Sequence, residues 1–124
     1  MNREIKFRGK TYNGKWIYGY CYKVKSLFDQ QFNWFIRNEY QTDNMIIPET
    51  LGQYVGLKDK NGVEVYEGDK VMFDYKWTKP DEIGVVTWNK DTASFQIKGH
   101  IPSSSMKHLD RMKVIGNIYE NKVD

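Results

Sequence analysis

Residues 51–69, LGQYVGLKDKNGVEVYEGD, constrain the fold more than any other part of the chain, because they place two backbone reversals around one short strand. Gly52 and Gly56 bracket an apolar and aromatic segment. Lys58-Asp59-Lys60-Asn61-Gly62 is then a polar turn in which Asn and Gly both tolerate positive φ. Val63 and Val65 mark a short strand, and Glu67-Gly68-Asp69 turns the chain into a further strand carrying Val71, Phe73 and Tyr75. Gly62 and Gly68 are both expected at positive φ, where a Cβ would clash. The segment contains no recognisable catalytic constellation.

The rest of the chain also reads as short strands between turns. Ile5 and Phe7 alternate with Lys6 and Arg8, Asn13-Gly14 supplies a tight turn, and Trp16, Tyr18, Tyr20, Tyr22 and Val24 recur at every second position. This predicts a hairpin with one aromatic face. In residues 26–44, Phe32, Trp34 and Ile36 alternate as in a strand, although Phe28, Phe32 and Phe35 would also line one side of a helix. We read a strand, and Pro48 ends what Met45-Ile46-Ile47 begins. Three strands follow, over residues 70–77, 83–88 and 93–98. A single helical turn over residues 106–109 and a last strand over residues 113–119 complete the chain. Five short strands with a helical turn before the last is the element order of an SH3-like barrel. Val65, Val71, Phe73, Val85, Phe95, Ile97, Val114 and Ile118 are its expected core.

With 124 residues the chain has room for one compact domain or a small barrel with an extension. We place an N-terminal hairpin extension and variable insertion at residues 1–50 and the SH3-like barrel core at 51–124. The start of the chain has no apolar signal region and no run approaches the length of a membrane span, so a cytoplasmic protein with no membrane partner is expected. Cys21 is the single cysteine and cannot form an internal disulfide. Net charge is only +3, but it is unevenly spread: residues 1–25 carry seven basic side chains against one acidic, and residues 26–69 carry three against eight. Such surfaces could steer a polyanion, or attract each other within or between subunits.

At this point the residues resemble the YopX family, small proteins encoded mainly by bacteriophages and prophages. The resemblance rests on Arg3-Glu4-Ile5-Lys6-Phe7-Arg8 and on Pro48-Glu49-Thr50 running into GQYVGLKDKNGVEVYEGDKV. It rests further on Gly84-Val85-Val86 followed by Trp88, and on VIGNIYEN over residues 114–121. It implies a mainly β fold with an SH3-type barrel and transfers no catalytic or ligand-binding residue. Residues 26–44 match none of these blocks and look like a member-specific insertion.

Asp59, Glu64, Glu67 and Asp69 offer carboxylates for a hard cation, but their spacing lacks a calcium loop, and aspartates in turns commonly cap backbone amides. His100 and His108 have no Cys or acidic partner at zinc-ligand spacing. Cys21 sits on a predicted strand as a small hydrophobe, and Ser103, Ser104 and Ser105 lie too close in sequence to His108 and Asp110 for triad geometry. No catalytic residue, metal or cofactor is therefore expected, and the chain reads as non-enzymatic. A protein partner or self-association into a small homo-oligomer ranks first, and weak non-specific nucleic-acid binding second. The candidate binding residues are Lys6, Arg8, Lys10, Lys76, Trp77 and Lys79, cations beside aromatics that could pair phosphates and stack bases. Because the aromatics and lysines of residues 16–25 alternate, they point to opposite faces, and those aromatics are expected in the core.

Overall fold

The structure, a computed structural model, describes residues 4–73, 83–99 and 105–120. The chain divides between Tyr54 and Val55 into two compact units.

In the N-terminal unit, β1 (Phe7–Lys10) and β2 (Trp16–Lys25) form the hairpin expected around Asn13-Gly14. The amide of Thr11 donates to the Lys15 carbonyl at 2.8 Å, and that of Gly14 to the Thr11 carbonyl at 2.9 Å. β3 (Phe32–Arg37) is a strand rather than a helix, paired with β2 from Tyr20 opposite Arg37 to Lys25 opposite Phe32. β4 (Asp43–Ile46) pairs with β3, and a 3₁₀ turn over Pro48–Thr50 follows. In that turn the Thr50 hydroxyl donates to the Ile47 carbonyl at 2.6 Å and accepts the Lys10 amide at 2.9 Å. The start of β5 (Gly52–Lys58) then runs beside β1, with Gly52 opposite Arg8.

The core of this unit is aliphatic. Ile17, Ile36 and Ile46 are buried, with Phe7, Cys21, Trp34 and Leu51 packed against them. Successive side chains of a strand face opposite ways, so burying Ile17 and Cys21 turns Tyr18, Tyr20 and Tyr22 outward, where all three are exposed. The aromatic row expected in the core is thus the outer face. The physical reason lies on the neighbouring strands: Gly9 opposite Ile17 and Ile36 opposite Cys21 leave an aliphatic layer closed by Ile46. A Cβ on Gly9 would stand 2.6 Å from the Ile46 side chain.

In the C-terminal unit the rest of β5 leads through the Asp59 turn to β6 (Glu64–Tyr66), and β7 (Asp69–Phe73), β8 (Ile83–Asn89), β9 (Ser94–Gly99) and β10 (Met112–Asn117) form a ladder in the order β10-β7-β8-β9. The expected helical turn is a 3₁₀ segment, Ser105–Arg111, with a break at His108. Val65, Val71, Val86, Ile97, Leu109 and Met112 are the buried cluster, with Phe73 and Val114 packed against it. Of the expected core, Ile118 is half exposed, Val85 faces away from Val86, and Phe95 meets Trp88 edge to face with centroids 5.0 Å apart. Among the described residues the ladder ends at β9 and β10, and no closed barrel is found.

The two reversals are built on buried carboxylates. Asp59 Oδ1 accepts the amides of Asn61 at 2.8 Å and Val63 at 2.9 Å, and Asp59 Oδ2 accepts the amide of Val114 on β10 at 2.9 Å. Beside it the Lys60 amide donates to the Met112 carbonyl at 2.8 Å, so the turn is joined to the last strand across 55 residues of sequence. Asp69 Oδ2 accepts the Tyr66 amide at 2.8 Å, and the Gly68 amide and carbonyl bond Val86 and Ile118. Gly62 and Gly68 both have positive φ, as expected, and a Cβ on Gly68 would also stand 2.7 Å from the Tyr119 ring.

Hydrogen bonds to a charged acceptor contribute about 1.5–3 kcal/mol each, and an orphaned buried amide costs about 1–3 kcal/mol. Asp59→Ala should therefore destabilise the protein by at least about 3 kcal/mol in denaturant unfolding, with Asp59→Asn costing less because it keeps an acceptor oxygen.

Candidate binding face of the N-terminal unit

The pairing register assembles one chemically distinctive surface. Residues opposite each other in an antiparallel pair share a face, and Arg8 opposite Tyr18, Lys10 opposite Trp16, Tyr20 opposite Arg37, and Tyr22 opposite Phe35 all lie on the side away from the aliphatic core. Met45 opposite Phe35 and Asp43 opposite Arg37 extend that face onto β4. Cations of the first strand and aromatics of the second therefore lie together, although on β2 itself they alternate.

Local contacts fix several of these side chains. Arg8 is buried with its guanidinium 4.9 Å from the Trp16 ring centroid, and Lys6 pairs with Glu4 at 3.1 Å and lies 5.3 Å from the Tyr54 centroid. Lys10 is half-buried on the same face. Of the other residues predicted for the site, Lys76, Trp77 and Lys79 lie outside the described residues. Arg37 grips Asp43 with a two-pronged fork, Nε to Oδ1 at 2.9 Å and Nη2 to Oδ2 at 3.1 Å. Those bonds, with another from the Tyr22 hydroxyl, hold the Asp43 carboxyl below its ordinary value, while desolvation first, then the bond to Asp43, pushes the Tyr22 phenol up. Tyr22 stacks on Phe35 with centroids 5.4 Å apart.

Next to this network is an open cleft of about 480 Å³, walled by Trp16, Tyr18, Tyr20 and Tyr40, with Lys15 and Glu39 among its charged residues. Gly19 lies in it, and a Cβ there would stand 2.0 Å from the Arg37 carbonyl oxygen. A cleft of this size falls within the range that takes small ligands or a few partner side chains.

Other candidate chemistry is spent on structure. The Asp59 and Asp69 carboxylates accept backbone amides, and no group of three or more His, Cys, Asp or Glu gathers among the described residues. Cys21 faces the aliphatic core, where burial pushes its thiol above the ordinary value and so away from the reactive thiolate. His100, Ser103 and Ser104 lie outside the described residues. No helix among the described residues is long and apolar enough to cross a membrane.

The sequence analysis named Lys6, Arg8 and Lys10 but missed Tyr18, Tyr20, Tyr22, Tyr40 and Arg37. The missed signal was the length of the turn: Thr11 pairs with Lys15 around a three-residue loop centred on Asn13, which pairs even positions with even positions, so the basic side of β1 meets the aromatic side of β2, whereas a two-residue Asn13-Gly14 turn would pair even with odd.

Because Asp43 is stabilised as the carboxylate in the folded chain, its contribution to stability is present above the unfolded pKa and lost as pH falls through the lowered folded value. Carbon-detected NMR titration should find the Asp43 carboxyl below the ordinary value of about 3.9, and Arg37→Ala should move it upward with little change in overall stability, since exposed pairs contribute little.

Comparisons with known proteins accord with this architecture. The crystal structure of protein EF1440 from Enterococcus faecalis is similar in fold, with a TM-score of 0.58 at 24% identity over 97% of this chain and 96% of that one. A search of curated proteins finds no match. The family profile described as YopX protein matches residues 6–123, and the chain belongs to the YopX family.

Proposed function

We propose that the protein is a non-enzymatic accessory protein of a phage or prophage that binds a protein partner through the tyrosine face of its N-terminal unit. The observation that carries this reading is the composition of that face. Trp16, Tyr18, Tyr20, Tyr22, Phe35, Met45 and Arg37 share one side of the sheet, and aromatic residues, Met and Arg are the types enriched at the centres of protein interfaces. Tyrosine gives a large contact area with few rotatable bonds, so little conformational entropy is lost on binding.

Nucleic-acid binding is the second reading, favoured by Arg8 and Lys10 opposite Tyr18 and Trp16. It ranks lower because the cations are engaged elsewhere: Arg8 is buried against Trp16, Lys6 pairs with Glu4, and Arg37 pairs with Asp43. Few phosphates can then be neutralised, so affinity should be weak and its salt dependence shallow.

The test is affinity capture from cells producing the protein, with and without nuclease, comparing the native chain with Tyr20→Ala. Tyr20 is 68% exposed, so its truncation should leave thermal unfolding within about 0.5 kcal/mol of native. A partner held at a hot spot should bind about 30-fold more weakly, a loss of about 2 kcal/mol. Capture unchanged by Tyr20→Ala would refute the reading. Capture abolished by nuclease, with submicromolar binding of fluorescent single-stranded DNA at physiological salt, would put nucleic acid first.

A further inference from the structure

The hairpin of β2 and β3 runs on past the aliphatic core, and β2 residues 22–25 are all exposed. This outer stem is held by its ladder and by cross-strand contacts, with the Lys23 ammonium 4.4 Å from the Phe32 centroid and 5.5 Å from the Trp34 centroid. At its tip Leu27 and Phe28 are 91% and 98% exposed, the most exposed large apolar side chains among the described residues. The tip is nevertheless a built turn. The Ser26 amide donates to the Gln31 carbonyl at 2.7 Å, the Phe28 amide to the Ser26 hydroxyl at 3.2 Å, and the Gln31 amide to the Asp29 carboxylate at 3.0 Å. An ordered arm that holds a leucine and a phenylalanine in water is pre-organised to place them in an apolar site, where their burial favours association.

We infer that a second copy of this chain covers the tyrosine face, the arm of each protomer lying across the cleft of the other. The inference rests on the protein-binding reading of that face and names the partner. Reach is the first support. Seven residues of extended chain separate Tyr20, in the cleft, from Leu27, a span of about 23 Å. Two such hairpins laid antiparallel about a two-fold axis bring each tip over the other's cleft, so contact between tip and cleft is reciprocal, as an isologous dimer requires.

Area is the second support. At about 200 Å² for each aromatic side chain, the exposed parts of Tyr18, Tyr20, Tyr22 and Tyr40 amount to about 450 Å², and Leu27 with Phe28 brings the total to about 800 Å² per protomer. A standard interface buries about 800 Å² per partner.

Sedimentation velocity of the full chain over about 1–100 μM decides the matter. The native protein should dimerise in this range, and the doubly substituted protein Leu27→Ser, Phe28→Ser should sediment as a monomer while keeping its circular dichroism and melting temperature, because both side chains are already in water. Tyr20→Ser should weaken the dimer at least tenfold. In a Cys21→Ser background, a Phe28→Cys protein mixed with a Tyr40→Cys protein should oxidise to a mixed disulfide in preference to either symmetric one. A native monomer throughout the range, a dimer indifferent to the tip substitutions, or cross-links only between tips would overturn the inference. A native monomer whose captured partners still depend on Tyr20 would sink this inference alone, whereas capture indifferent to Tyr20 would sink the protein-binding reading as well.

Discussion

The carboxylate of Asp59 holds the C-terminal unit together at the place where its chain is least able to do so locally. Its two oxygens accept three amides, two in its own turn and one on β10, and the adjacent Lys60 amide binds the same strand at Met112. A turn that would otherwise be closed only by near neighbours is thereby joined to residues 55 positions further on. Closing so long a loop carries an entropic cost, which charge-assisted bonds to a buried acceptor help offset. Asp69 acts in the same manner one reversal later, on Tyr66. Met112, beside the Asp59 clip, is in the buried cluster with Val65 and Val71, so polar clip and apolar core order the same residues.

The aspartates of the most recognisable block of the chain therefore have a structural task. The Asp59 and Asp69 carboxylates accept backbone amides, so a metal there would have to compete with the fold itself. The surface chemistry lies instead on the N-terminal unit, which also holds all of the net charge: residues 1–54 carry eight basic and five acidic side chains, and residues 55–124 carry eleven of each. The clipped turns and the proposed contact surface are written in different parts of the sequence.

That division governs how much could be read from the residues. Turns were legible because Asn13-Gly14, Asn61-Gly62 and Glu67-Gly68-Asp69 act through local backbone freedom, and alternation marked β2, β3, β7 and β8. Which side of β2 faces the core was not legible from β2, because Trp16, Tyr18, Tyr20 and Tyr22 carry more apolar area than Ile17 and Cys21. The choice was made by Ile36 on β3, beside β2, and Ile46 on β4, beside β3, whose register the sequence of β2 does not contain. The fork between Arg37 and Asp43 was likewise hidden, since it depends on β3 and β4 pairing across a short turn. Lys76, Trp77 and Lys79, chosen because a proline loop tends to expose its aromatics, lie outside the described residues.

The outer stem of the β2–β3 hairpin has a further consequence for how the molecule responds to strain. Beyond Cys21 the half-buried Trp34 ties it to the isoleucine core, and the rest is held by ladder bonds, one stacked ring pair and Lys23 over two aromatics. Local opening free energies follow buried contacts, so stability in the unit should be graded along a single strand, with amides near Lys25 exchanging faster than those near Ile17.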